Sequence, residues 1–207
     1  LGDREAEVGD AAQLVLGELE DPGFVPELFG RFGLRSQEEA VRARTAEALG
    51  RVKAEVDAGE LAERLDVDGE GVPRLLVWSV ERLARERRLR GDVARLGRAL
   101  AQVQRSRRDP ELAADALLAL EALDVPELQR LATGARSSSE PELRVAALAA
   151  SLRAPLAECE TWARALASDR EGCVRLQAVE CLETLGTRGA AEELVLRLEV
   201  EQRQGIR

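Results

Sequence analysis

The sequence predicts an all-α protein, a right-handed α-solenoid of about five to six stacked antiparallel helix pairs, and three observations carry that prediction. Apolar residues recur three or four apart along most of the chain, the spacing of a helix with one buried stripe. The same stretch returns at a nearly fixed interval. No β-branched run alternates with period two, so no strand and about twelve helices are expected.

The clearest helix is "GCVRLQAVECLETLG", residues 172 to 186, where Val174, Ala178, Val179, Leu182 and Leu185 share a face and Gly186 can end the helix. Shifted backwards, the pattern finds relatives. Val174 aligns with Leu143, Leu112, Val72 and Val41, at intervals of 31, 31, 40 and 31 residues. Four positions beyond each anchor stand Ala178, Ala147, Ala116, Leu76 and Thr45; five beyond stand Val179, Leu148, Leu117, Val77 and Ala46. A second helical stretch precedes each of these. Twelve residues before the anchors lie Phe29, Glu60, Leu100, Leu131 and Trp162, with Leu61 beside the one misfit. The connections carry turn chemistry: "DPG" at 21 to 23, "DVDGEG" at 66 to 71, "RDP" at 108 to 110, "DVP" at 124 to 126 and "SSSEP" at 137 to 141.

One helix pair cannot hide its apolar stripe alone, so neighbouring pairs must share a core and at least three are needed. Charged residues make up 33% and hydrophobic ones 45%, enough apolar surface for a folded chain. Aromatic residues are limited to Phe24, Phe29, Phe32, Trp78 and Trp162, so the interior must be built from Leu, Val and Ala. Val179 is expected to be interior, and an aspartate there to unfold the C-terminal units. Residues 1–207 are read as a single array whose longer middle repeat holds a basic segment, 82–108. The first residue is Leu1 and methionine is absent, so a longer parent protein is expected.

The pattern of an acidic residue, Val or Leu, Arg, a small residue and "LG" resembles HEAT repeats, an armadillo-like helical family. It is most similar to the short HEAT-like repeats first noted in phycobiliprotein lyases. It stands in "EEAVRARTAEALG", "EPELRVAALAASL" and "DREGCVRLQAVECLETLG", and the resemblance covers roughly residues 24 to 200. It implies that Arg42, Arg144 and Arg175 are structural, bound to acidic groups of neighbouring repeats. Pro73 and Ala113 depart from the pattern at that position. It further implies a scaffold for protein binding, because the fold fixes no chemistry of its own. An alternative implied by the same likeness is a bilin lyase-like or other small-molecule-handling protein.

Missing residue types narrow the function. Without histidine or tyrosine the chain lacks the commonest general base, the usual partner of a nucleophile and the commonest metal ligand. A non-enzymatic protein without a cofactor is expected. Cys159, Cys173 and Cys181 are odd in number and lack C-x-x-C spacing. Cys173 and Cys181 would lie roughly 12 Å apart on one helix, too far for a disulfide, so a reducing, cytoplasmic location is expected. "DVDGEG" matches the start of an EF-hand loop, but Val77 occupies the twelfth place where a bidentate glutamate is needed. A turn with capping acids is the simpler reading, and no metal is expected. No apolar run approaches the roughly 20 residues of a membrane span.

In such an array the second helix of each pair lines the concave side. Positions three, six and ten beyond the anchors should face it. The candidate binding residues are Arg44, Glu47, Arg51, Trp78, Arg82, Asp115 and Arg153. Trp78 is read either as a binding anchor or as the cover of a repeat junction; Trp162 falls on the interior column. Charge adds a second feature. Segment 82–108 holds ten arginines against Glu86 and Asp92, a balance of +8 in a chain of net charge −9. Arg85, Arg87, Arg88, Arg90, Arg95 and Arg98 are its candidate contacts for an acidic protein partner. The other reading is a solvated helix face whose arginines neutralise neighbouring acids. Nucleic acid is disfavoured as a partner by the overall acidity, the single Lys53 and the lack of interleaved aromatics. Self-association of acidic units with the basic block is a further partner class.

Overall fold

The computed structural model describes residues 22–31, 33–65, 72–106 and 109–205. The "DVDGEG" loop, Phe32, Arg107 and Arg108 lie outside the described residues. The protein is all-helical, as expected. After a 3-10 turn, Pro22–Phe24, come α1 (Val25–Leu28), α2 (Glu39–Arg51), α3 (Ala58–Arg64), α4 (Val72–Arg85), α5 (Val93–Ser106) and α6 (Pro110–Leu123). Then follow α7 (Leu128–Arg136), α8 (Pro141–Ser151), α9 (Leu156–Leu166), α10 (Gly172–Leu185) and α11 (Arg188–Gly205). The chain divides into two compact units after Val125, within the "DVP" turn.

Local chemistry sets the helix ends. Asp57 caps α3 by accepting from the Gly59 and Glu60 amides at 2.8 and 3.1 Å. Asp109 does the same for α6, at 3.0 and 3.1 Å from the Glu111 and Leu112 amides, with Pro110 at the first helical position. Gly186 ends α10 in the left-handed conformation, φ 59°, as its place in the sequence predicts.

In the N-terminal unit α2, α4 and α6 pack side by side, while α3 packs on α5 and α5 on α6. In the C-terminal unit α7 packs on α8, α8 on α10, and α9 and α11 on α10. The predicted interior column holds: Phe29, Leu61, Leu100, Leu131 and Trp162 are all buried, whereas Glu60 is exposed. Ala178, Ala147, Ala116, Leu76 and Thr45 are buried as well.

Three details differ from expectation. A two-residue parallel pairing, β1 (Val56–Asp57) with β2 (Leu89–Arg90), joins the turns after α2 and α4; two residues are too few to leave a periodic trace in the sequence. Val179 is only half-buried, and the interior of α10 is formed by Val174, Ala178, Cys181 and Leu182. Ala146, expected on the outward stripe, is fully buried on α8. The described part of the basic segment, 82–106, is mainly helix, the end of α4 and all of α5 joined by a short connection.

The three arginines share one device. Arg42 Nη1 donates to the carbonyls of Ser36 and Gln37 at 2.9 and 3.0 Å, Arg144 Nη1 to Ser138 and Ser139 at 2.8 and 2.9 Å, and Arg175 Nη1 to Asp169 and Arg170 at 2.9 and 3.0 Å. Each guanidinium thus ties down the turn entering its own helix, supplying donors to carbonyls that no helix satisfies. Arg144, 5% exposed, also grips Asp169 through two bonds of 2.8 and 2.9 Å. Since Asp169 precedes α10, this pair links α8 to the turn that enters α10. The bond to Arg144 holds the Asp169 carboxyl below the ordinary range.

Candidate functional site

Neighbouring helices α2, α4 and α6 build a surface recess of the N-terminal unit. It is a groove of about 450 Å³ lined by Glu47 of α2, Arg74, Leu75, Trp78 and Glu81 of α4, and Asp115 of α6. These residues meet because α4 packs closely on α2. The Ser79 hydroxyl donates to the Ala46 carbonyl at 2.5 Å, and a Cβ added to Gly50 would lie 2.5 Å from Cζ3 of Trp78. Glycine at position 50 therefore lets the indole lie against the α2 backbone. Trp78 is half-buried: part of its ring covers the α2–α4 junction and part lines the groove. The ring therefore covers the junction, and the part of it that faces the groove stays accessible.

The groove's acids are already engaged. Glu47 accepts from Arg51 at 2.5 Å, Glu81 from Arg85 at 3.0 Å and Asp115 from Arg74 at 2.7 Å. Arg74 also bonds Glu111, so α4 and α6 are bridged along the groove wall. The bond to Asp115 raises the Arg74 pKa, keeping it charged at any physiological pH. Arg82 stands over the Trp78 ring, 5.7 Å from its centroid. Two smaller recesses adjoin. One of about 280 Å³ is lined by Trp78, Glu81, Arg82, Arg85 and Glu86, so Trp78 lines this recess and the groove alike. The other, about 210 Å³, lies at the C-terminal ends of α2 and α4 and is lined by Arg51, Lys53, Arg82, Glu86 and Arg88.

Of the residues chosen from the sequence, Glu47, Trp78 and Asp115 share the groove, and Arg51 and Arg82 share the basic recess. Arg44 is half-buried on α2 and is not among the described lining residues. Arg153 is exposed in the turn after α8, in the C-terminal unit. Arg74 and Glu81 were missed, because they flank the three-six-ten stripe rather than lie on it. Lys53 was passed over because it follows the end of its helix.

The basic segment divides. Arg85 bonds Glu81 and Glu121, Arg88 bonds Glu86 and the Val52 carbonyl, and Arg95 bonds Glu63 at 3.2 Å. These arginines neutralise acids of their own unit. Arg87, Arg90 and Arg98 are exposed.

Cys159 and Cys181 are buried and Cys173 is exposed. Burial raises the Cys159 thiol and pushes Cys181 to about 11, so neither is a thiolate near neutrality. No cluster of His, Cys, Asp or Glu among the described residues could hold a metal ion. No described helix is long and apolar enough to cross a membrane. No protein-family model matches the chain, and no curated protein matches it.

Proposed function

We propose that the chain is a non-enzymatic interaction scaffold, a HEAT-like right-handed solenoid of helix pairs that holds a segment of a partner protein on the surface of α2, α4 and α6. The observation that carries this reading is the placement of Trp78, half-buried between two recesses with Arg82 over its ring. Tryptophan and arginine are the residues on which interfaces most often concentrate their energy, and a recess of this volume admits one or two side chains. The repeat reading is supported by the arginine clamp that recurs on α2, α8 and α10, and by second helices packed on second helices. The absence of histidine and tyrosine supports a binding role over catalysis, as does the pairing of the groove carboxylates with arginines. Three unpaired thiols suit a reducing cytoplasm.

The test is affinity capture with the full chain and with Trp78→Ala, followed by titration of the purified partner. The variant is expected to bind at least about tenfold more weakly with its helicity unchanged. If Trp78→Ala instead melts the protein and leaves the affinity of the remaining folded fraction intact, the residue is packing alone and the reading fails.

A further inference from the structure

We infer that the occupant of this surface is an extended protein segment that presents a large apolar side chain to the Trp78 groove and a carboxylate, two to four residues away, to the adjoining basic recess. The inference rests on the interaction reading above and adds the chemistry of the partner.

The groove and the basic recess, connected through the small recess that shares Trp78 with one and Arg82 and Glu86 with the other, differ in what they lack. In the groove Leu75 and Trp78 supply apolar surface, while Glu47, Glu81 and Asp115 are each paired to an arginine of the chain. Charge there is compensated internally, and the interaction left to offer is burial of apolar area. The recess at the ends of α2 and α4 is the reverse. Its described lining residues are the cationic Arg51, Lys53, Arg82 and Arg88 and the acidic Glu86. Arg51 is already paired to Glu47 and Lys53 has an interaction of its own, so the excess of positive charge rests on Arg82 and Arg88. Glu86 is shared, accepting from Arg82 at 3.2 Å and meeting Arg88 at 3.0 Å, so a single carboxylate serves two guanidiniums. A second carboxylate entering here gains charge-assisted bonds and corrects the local excess.

Arg82 joins the two recesses, since it lines the basic one and lies over Trp78. It is one turn beyond Trp78, and Glu86 is two turns beyond, which places the recess roughly 6 to 12 Å along α4 from the ring. An extended chain advances about 3.3 Å per residue, hence the spacing of two to four. The same surface argues against a nucleic-acid strand. Its phosphates repeat without interruption, whereas the cationic recess is confined to one end of α4 and the groove beside it is already charge-compensated.

The experiment selects a displayed random-peptide library on the full chain and discards peptides that also bind Trp78→Ala. Survivors are synthesised and titrated by fluorescence anisotropy against the wild type and against the combined variant Arg51→Gln, Lys53→Gln, Arg82→Gln. Survivors should carry an aromatic or long aliphatic residue with Asp or Glu two to four positions away. The combined variant should weaken them roughly tenfold, changing the peptide acid to its amide should cost the same, and the two changes together should cost no more than either. Where the combined variant melts early, Lys53→Glu alone, at an exposed position past α2, should cost roughly threefold.

Peptides that depend on Trp78 but show no acid, or ignore the charge variants, overturn the inference and leave the interaction reading standing. A duplex DNA probe that binds more tightly than every peptide and is released by the charge variants also overturns it. A library yielding no Trp78-dependent peptide sinks both.

Discussion

Trp78 and Trp162 sit in matching chemical company and do different things. Each lies under an arginine, Arg82 at 5.7 Å from the first ring and Arg136 at 4.5 Å from the second. Yet Trp162, on the first helix of its pair, is 4% exposed, whereas Trp78, on a second helix, remains half-open and lines two recesses. The neighbours do not decide the outcome; position within the repeat does. Twelve residues before an anchor points inward, and six residues after it lies at the edge of the shared stripe.

The largest effect expected follows directly. Trp162→Ala removes a buried indole of α9 that lies under Arg136 of α7 and should cost about 3–5 kcal/mol, read as a collapse of the thermal midpoint by circular dichroism. Trp78→Ala should cost a small fraction of that and show itself in binding. Equal losses of stability would erase the distinction between the two tryptophans.

Ion pairs divide in the same way. Arg74 with Asp115 lies at the groove with both side chains substantially in water, and such pairs contribute about 1 kcal/mol or less. Arg144 with Asp169 is nearly sealed, side chains 6% and 11% exposed, and also secures two backbone carbonyls. Arg144→Leu strands the carboxylate and those carbonyls together, and should cost about 3 kcal/mol in urea unfolding. A pH signature accompanies it. The Asp169 carboxyl is held low in the folded protein, so its contribution is complete above the unfolded value of about 3.9 and is lost as the pH falls towards the lowered one. Wild-type stability should decline across that acid window, and the Arg144→Leu variant should decline less. Parallel acid profiles would show that the pair stores no such linkage.

Much of this was legible in the sequence. The interior columns could be followed where the 31-residue interval holds, so Leu100, Leu131 and Trp162 announce themselves once Val174 is placed, whereas across the 40-residue interval the column falls on exposed Glu60 and the buried residue is Leu61 beside it. The recurrence of Arg42, Arg144 and Arg175 was visible too, although their first target is the turn five and six residues earlier rather than an acid. What stayed hidden depends on how helices are rotated against one another. Ala146 is swallowed and Val179 half-released because α8 and α10 do not bury the same arc, which spacing along one helix cannot reveal. For the same reason Glu47, Trp78 and Asp115 could be named one by one, but not the arginine from α4 that bridges to α6 and completes the wall.

The smallest change that bears on the comparison is one methyl group at Gly50. A Cβ there would meet Trp78 Cζ3 at 2.5 Å, Cε3 at 2.9 Å and Ser79 Oγ at 2.9 Å, closer than packed atoms tolerate. An indole is rigid, so it cannot yield by bending; it must swing towards the groove, or α2 and α4 must part. Alanine favours the helix by about 1 kcal/mol over glycine, which offsets part of the overpacking cost of about 1–3 kcal/mol. The net loss of stability for Gly50→Ala should therefore be about 1 kcal/mol. Its optical effect should be larger: the ring displaced into solvent shifts the tryptophan emission to the red, against a constant signal from buried Trp162. Partner binding should weaken with it, since the groove's floor has moved. An unshifted spectrum would mean that the helices part instead, and then Trp78 is held by its junction more firmly than α2 and α4 hold each other.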